Sequence, residues 1–144
     1  MMIKKLILTT ALTLGISVAV QAADDIHNLN FNEAVQRAVA DGTLDGSVKF
    51  YLAGTKSGGQ LLQKGIVTNK KTNGFAKSAE SSCDWVLRST LIQLQNAAKN
   101  RGANAVTNIV SYYKANESHS STTYECHKGT AVAGVALKGD LVKF

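Results

Sequence analysis

The stretch CDWVLRSTLIQLQNAAKNRGANAV, residues 83–106, decides the fold because it predicts a long amphipathic helix that leads directly into a strand. Apolar side chains recur at helical spacing on one side of the helix, and polar side chains occupy the other. The apolar stripe contains Leu87, Leu91, Leu94 and Ala98, and the polar side contains Arg88, Gln95 and Lys99. Ser81, Ser82 or Asp84 can cap the start of this helix.

The motif Gly102-Ala103-Asn104-Ala105-Val106 ends the predicted helix. Gly102 can adopt the left-handed conformation that stops a helix, and Asn104 can hydrogen bond to the turning backbone. Ala105 and Val106 would then begin a buried strand. The motif therefore has a structural explanation that needs no ligand.

The segments before the long helix predict one short helix and two strands. Residues 23–29 indicate a loose leader, and residues 31–41 a short helix that Asn30 and Glu33 cap. Apolar and polar residues alternate over 48–52, which is typical of a strand with one buried face. A second strand is predicted over 60–68, followed by a polar loop over 69–82.

The segments after the long helix predict two further strands. Residues 105–113 are rich in β-forming side chains, residues 117–123 indicate a hairpin loop, and residues 124–138 indicate one long final strand. This order favours an α+β fold: a small antiparallel or mixed sheet with one long amphipathic helix packed across it, plus a short N-terminal helix. Small residues at Ala131, Ala133, Gly134 and Ala136 would allow the helix to approach closely.

The N-terminus has the pattern of a secretory signal peptide. Lys4 and Lys5 precede an uncharged run of about 15 residues, shorter than the ~20 that span a membrane, and Ala22 ends a small-residue cleavage site. We predict cleavage after Ala22, a single α+β domain over 23–144, and a periplasmic or secreted location with no membrane span after cleavage.

The chain is basic, with 16 lysine and arginine residues against 10 aspartate and glutamate residues. Removal of the signal peptide leaves a mild positive excess. A loop-rich stretch contains Lys56, Lys64, Lys70, Lys71 and Lys77. This stretch is either a solvated surface or a site that attracts a polyanionic component of the envelope. No nucleic-acid-recognition motif is present, so nucleic acid is not a predicted partner.

The chain has two cysteines, Cys83 and Cys126, and both lie in the predicted exported part. An even pair in an oxidising compartment predicts a structural disulfide. The chain-entropy model gives a stabilisation of roughly 4 kcal/mol for a loop of this length. Neither cysteine belongs to a Cys-x-x-Cys motif or follows the signal directly, so neither a redox centre nor a lipid attachment site is predicted.

Residues 101–106, followed by Cys126 and the strand 131–137, resemble the globular domain of the RcsF-like family, outer-membrane lipoproteins that report envelope stress. In that family a Gly-x-Val strand precedes a cysteine, as Gly65-Ile66-Val67 precedes Cys83 here. The resemblance covers roughly residues 60–138 and implies the Cys83–Cys126 pairing and a sensor-like role. This chain lacks the family's lipid-bearing cysteine, Pro-rich linker and second disulfide. The helix-end motif also resembles the small cytosolic YbjQ family, sometimes described as heavy-metal binders.

No residue pattern predicts a catalytic, cofactor or metal site. The segment 54–57 (Gly-Thr-Lys-Ser) lacks the glycine spacing of a phosphate-binding loop, and no serine lies in a nucleophile motif. His119, Glu125, Cys126 and His127 are metal-ligating residue types. Adjacent residues of a strand point to opposite faces, however, and a bridged Cys126 cannot bind an ion. Four aspartates, Asp24, Asp25, Asp41 and Asp45, are interpreted as helix-end and solubility residues.

The aromatic residues Trp85, Tyr112 and Tyr113 could line a binding surface, but Trp85 in the first turn of a core helix is interpreted as a packing residue. Taken together, the sequence predicts an exported, non-enzymatic binding or sensor-like protein of the bacterial envelope. Its partner would be an envelope protein or a polyanionic component, and its oligomeric state is left open. The alternatives are an envelope metal-binding protein and a small hydrolase.

Overall fold

The computed structural model describes residues 14–15 and 24–144. All but two residues of the predicted signal peptide, together with its cleavage site, lie outside the described residues. The elements follow the order β1 (Asp25–Asn30), α1 (Phe31–Ala40), β2 (Lys49–Leu52), β3 (Gln60–Asn73), α2 (Ala79–Asn100), β4 (Ala105–Ser111), a 3-10 turn (Tyr113–Ala115), β5 (Thr123–Lys128) and β6 (Val132–Lys143). The predicted α+β class is confirmed.

The six described strands form one mixed sheet around β6. Strand β6 is long enough to pair antiparallel with β3 along one side and with both β5 and β4 along the other. Beyond these, β1 pairs antiparallel with β5, and β2 pairs parallel with β4. The sequence predicts an antiparallel or mixed sheet, and the sheet is mixed because β2 and β4 are parallel.

The hydrophobic core lies between α2 and one face of the sheet. The four residues of the apolar stripe of α2 are fully buried, as are Ala133, Val135 and Leu137 of β6. Helix α1 adds Phe31, whose ring meets Tyr124 of β5 edge-on with ring centroids 6.4 Å apart. The disulfide between Cys83 and Cys126, which the sequence predicts, ties α2 to β5 inside this core.

Helix α2 begins earlier than the sequence indicates. Ser78 caps it, because its side-chain oxygen accepts a hydrogen bond from the backbone N–H of Ser81 at 3.1 Å. The predicted caps at Ser81, Ser82 and Asp84 are therefore wrong, and Cys83 lies in the second turn. At the other end Gly102 has a φ of +71°, the left-handed conformation that glycine adopts most readily.

Three predicted boundaries are wrong because strand pairing decides them. The loose leader over 23–29 contains β1, which gains its hydrogen bonds from β5. The polar loop over 69–82 includes five more residues of β3, which pair with β6 as far as Asn73. The long final strand over 124–138 is a hairpin, β5 and β6, with its turn at 129–131.

Candidate binding surfaces

The face of the sheet away from α2 carries an unusual set of side chains, and we call it the outer face. Successive residues of a strand point to opposite faces. Ala133, Val135 and Leu137 face the core, so Gly134 and Lys138 lie on the outer face. The prediction that Gly134 and Ala136 allow close approach of the helix is wrong for that reason, because both lie on the face away from it.

Tyr113 covers the first part of the outer face. Its ring stacks on the imidazole of His127 with centroids 3.7 Å apart and planes inclined by 14°. A Cβ atom at Gly134 would lie 3.4 Å from the same ring. Because glycine has no side chain, the tyrosine ring can pack closely against the sheet. The Tyr113 hydroxyl donates a hydrogen bond to Asp24 at 3.2 Å, and burial together with this bond raises the pKa of Tyr113.

Tyr112 and Lys138 form the next contact along the outer face. The Lys138 ammonium lies 4.7 Å from the centre of the Tyr112 ring, within the range of a cation–π interaction. Lys138 also pairs with Glu117, and this hydrogen bond raises the pKa of Lys138 and lowers that of Glu117. Lys138 thus contacts both an aromatic ring and a carboxylate.

Two more lysines lie over aromatic rings of the same face. The ammonium of Lys56 is 4.9 Å from the Phe144 ring centre and 5.6 Å from that of Tyr51. The ammonium of Lys114 is 5.6 Å from the ring centre of Tyr113. Tyr113 lies at Gly134, Tyr112 at Lys138 and Lys56 at Phe144, so the contacts follow one another along β6 and the residue after it.

The positive excess of the described chain lies in the sheet. The segments that form the sheet and its loops, 24–30, 49–73 and 105–144, contain nine basic and five acidic side chains. The segments with the helices, 31–48 and 74–104, contain five of each. The count covers both faces of the sheet and its loops, and such an excess attracts anions over a distance set by the ionic strength.

A second surface surrounds Trp85 on α2. The side chain of Trp85 is 66% exposed, so its interpretation as a packing residue is wrong. The helix turns Trp85 outward, because Val86 and Leu87 of the same turn are fully buried. Trp85 lines two clefts. One has a volume of about 430 Å³ and contains Arg88, which bridges Asp84 and Asp41, and the other has a volume of about 240 Å³.

The residues considered for a metal site do not converge. Cys126 is in the disulfide, and the Nε2 of His127 lies 3.2 Å from a carboxylate oxygen of Glu125. His119 instead lies 3.2 Å from Glu117. Within the described ranges, no group of three or more histidine, cysteine, aspartate or glutamate residues could hold a metal ion.

The helix-end motif is as expected at Gly102, which ends the helix, and at Ala105 and Val106, which begin the buried strand β4, but it differs at Asn104. Asn104 does not bond to the turn; its side-chain oxygen accepts from the backbone N–H of Phe144 at 2.9 Å, and its amide donates to the Phe144 carbonyl at 3.1 Å. The prediction about Asn104 is therefore wrong. Ala103, Ala105 and Val106 are buried. Asn104 therefore fixes the backbone of Phe144, and with it one aromatic ring of the outer face.

The five lysines of the predicted basic loop do not share a loop. Lys70 and Lys71 lie next to each other in β3 and therefore point to opposite faces of the sheet, and Lys64 is in the same strand. Of this group, Lys56 is the one whose ammonium lies over aromatic rings. The grouping predicted from proximity in the sequence is wrong.

The aspartates at the end of α1, Asp41 and Asp45, accept hydrogen bonds from the loop that follows the helix. Asp41 accepts hydrogen bonds from the side chain and the backbone of Thr43, and these bonds together with Arg88 lower the pKa of Asp41 to about 2. Asp45 pairs with Lys99 and accepts from Ser47, which lowers its pKa as well. Asp41 and Asp45 are structural residues.

The chain matches no protein-family model, no curated protein and no solved structure. The resemblances to the RcsF-like and YbjQ families therefore stay predictions. Among residues 14–15 and 24–144, no helix is long and apolar enough to cross a membrane.

The sequence pointed to part of the outer face. Tyr112 and Tyr113 were candidates for a binding surface, whereas Lys138 and Phe144 were missed. The signal was present in β6, where small residues at alternate positions, Gly134 and Ala136, leave room for rings on one face. It could not be assigned to a face before the strand register was known.

Proposed function

We propose that this protein is an exported, non-enzymatic binding protein of the bacterial envelope whose outer face binds an anionic glycan. The predicted signal peptide and the RcsF-like resemblance support the location and the sensor-like class. The disulfide is compatible with an oxidising compartment.

The observation that carries the proposal is the row of lysine–aromatic contacts on one face. The rings of Tyr51, Tyr112, Tyr113 and Phe144 offer flat apolar surfaces against which the C–H groups of a sugar ring can pack. The ammonium groups of Lys56 and Lys114, which lie 4.9–5.6 Å from ring centres, offer partners for carboxylate, phosphate or sulfate groups, whereas the ammonium of Lys138 is already paired with Glu117. A ligand with both features matches a charged saccharide better than a peptide.

The helical layer acts as the scaffold in this proposal. Helix α2 packs across the core face, the short helix α1 packs beside it, and the disulfide ties α2 to β5. The outer face is then presented on a rigid sheet, which lowers the entropy lost on binding. Asn104, which holds the backbone of Phe144, gives the last ring its fixed place.

The proposal is tested by calorimetric titration with saccharides of one length. A heparin-derived octasaccharide is the anionic probe, and maltooctaose is the neutral control. We expect binding of the anionic probe alone, with an affinity that falls steeply as sodium chloride is raised from 50 to 300 mM, because salt screens the lysines. Equal binding of both saccharides, or no binding of either at millimolar concentration, would contradict the proposal.

The metal-binding alternative is tested in the same instrument. Titration with zinc, copper and nickel should give no heat of binding above that of dilution. A one-to-one binding isotherm with any of these ions would favour the alternative over the glycan proposal.

A further inference from the structure

Strand β3 leaves one edge of the sheet unpaired. Among the described residues, β3 pairs with β6 and with no other strand. In an antiparallel strand at an edge, about half of the backbone N–H and C=O groups point away from the sheet. Such a row of donors and acceptors can bind an extended segment as an additional strand.

The second part of β3 is regular enough for this purpose. Its register with β6 shifts between Leu61 and Ile66, where Gly65 has a φ of +71° and donates its backbone N–H to Asp140. From Ile66 to Asn73 the register is continuous. An added strand therefore has eight consecutive residues beside which to lie.

The charge of β3 selects an acidic partner. The strand contains Lys64, Lys70 and Lys71 and no acidic residue. Lysines on an edge strand oppose unselective pairing, and two copies of this edge would place like charges beside each other. A strand with carboxylates would instead gain a charge partner on either face, because Lys70 and Lys71 point to opposite sides.

A cleft at the end of this edge can receive a side chain. It has a volume of about 240 Å³ and lies between the last residues of β3 and the start of α2. Its lining residues are Thr72, Asn73, Lys77, Ser81, Ser82 and Trp85. Since alternate side chains of an added strand point toward the helix layer, one of them would lie against the exposed indole of Trp85.

We propose that the β3 edge binds an extended acidic segment of a partner protein as an added strand, with one apolar side chain of that segment in the Trp85 cleft. The edge adjoins the outer face, on which Lys71 lies beside Gly134. The inference rests on the backbone groups of β3 and on the Trp85 cleft, so it does not depend on the proposed glycan site. It also gives the exposed position of Trp85 a function.

The test uses the ¹⁵N-labelled protein and a nine-residue peptide in which glutamate alternates with valine, so that its valines point toward the helix layer and the Trp85 cleft and its glutamates point to the face of Lys71. We expect amide shift changes confined to residues 66–73 and the Trp85 indole, and slower hydrogen exchange at alternate amides of that stretch. A peptide with lysine in place of glutamate should bind at least tenfold more weakly. The Trp85→Ala variant should bind the acidic peptide at least fivefold more weakly.

Two N-methylated forms of the acidic peptide serve as the matched controls. Methyl groups on one alternate set of its amides would block the hydrogen bonds to β3, whereas methyl groups on the other set would point to solvent. We expect one form to lose at least tenfold in affinity and the other to bind unchanged. The proposal would be overturned if both methylated forms lost affinity equally, or if the amide shift changes fell outside residues 66–73 and Trp85. It would also be overturned if the amides of β3 were already protected from exchange by self-association without peptide.

Discussion

The ring of Tyr113 lies flat on the imidazole of His127, 3.7 Å away, and rests on Gly134 of the neighbouring strand. This contact holds the β4–β5 connection against the outer face of the sheet. It links three features that the sequence presents separately: an aromatic pair, a histidine and a glycine in a strand. The outer face exists because the strand pairing brings them together.

Removal of the Tyr113 ring should loosen this part of the molecule. We expect Tyr113→Ala to lower the free energy of unfolding by more than about 1 kcal/mol, because an aromatic pair contributes about that much beyond the burial of the ring. Tyr113→Phe keeps the stacking and loses the hydrogen bond to Asp24, so it should change the free energy by less than half as much. Urea unfolding of both variants measures the difference, and equal losses would contradict the role of stacking.

Loss of the disulfide should destabilise the fold strongly. Both cysteines are fully buried, and the bond joins α2 to β5. Cys83→Ser should lower the free energy of unfolding by about 4 kcal/mol, because the unfolded chain is no longer constrained. The reduced wild-type protein should show a similar loss in thermal unfolding. An unchanged midpoint in the variant would contradict the structural role of the bond.

Acid should weaken the loop at the end of α1. The hydrogen bonds from Thr43 lower the pKa of Asp41 to about 2 in the folded state, below its value in the unfolded chain. The carboxylate therefore stabilises the fold fully above about pH 4, and this contribution is lost as the pH falls toward 2. Asp41→Asn should have a lower Tm than the wild type at pH 7, and the gap should close by pH 2. Parallel Tm profiles would exclude this assignment.

One buried hydroxyl should be replaceable with a gain in stability. The Oγ1 of Thr68 is buried, and no described residue bonds to it. Thr68→Val keeps the shape of the side chain and removes the unsatisfied group, so the free energy of unfolding should rise by about 1 kcal/mol. Thr90→Val is the matched control, because the Thr90 hydroxyl donates to the Leu87 carbonyl at 2.6 Å and its loss should destabilise. The same sign for both variants would refute the explanation.

Local sequence patterns predicted the elements that are determined by residues close together in the sequence. The apolar stripe from Leu87 to Ala98 defines α2, and the alternation around Phe50 defines β2. The two cysteines allowed one intramolecular pairing. These features depend on residue spacing within a few turns or on simple counting, so the α+β class and the disulfide could be read from the sequence.

Features that depend on a distant partner could not be predicted. Strands β1 and the end of β3 are polar, and they become strands because β5 and β6 offer them hydrogen bonds. The exposure of Trp85 depends on which side of α2 the sheet covers. Asn104 binds Phe144, 40 positions further along the chain. The row of lysines and rings on the outer face likewise follows from strand register rather than from spacing in the sequence.

The proposed glycan site is tested most directly by comparing two double variants that lose the same charge, one on the outer face and the other in the helical segments. Lys56→Gln with Lys114→Gln removes two lysines that lie over rings of the outer face, and Lys77→Gln with Arg101→Gln removes two cations from the helical segments. Both double variants have the same net charge. For the heparin-derived octasaccharide at 150 mM salt, we expect at least a tenfold loss of affinity in the first double variant and less than a twofold change in the second. Equal losses in the two would show that net charge alone attracts the saccharide and would contradict a site on the outer face.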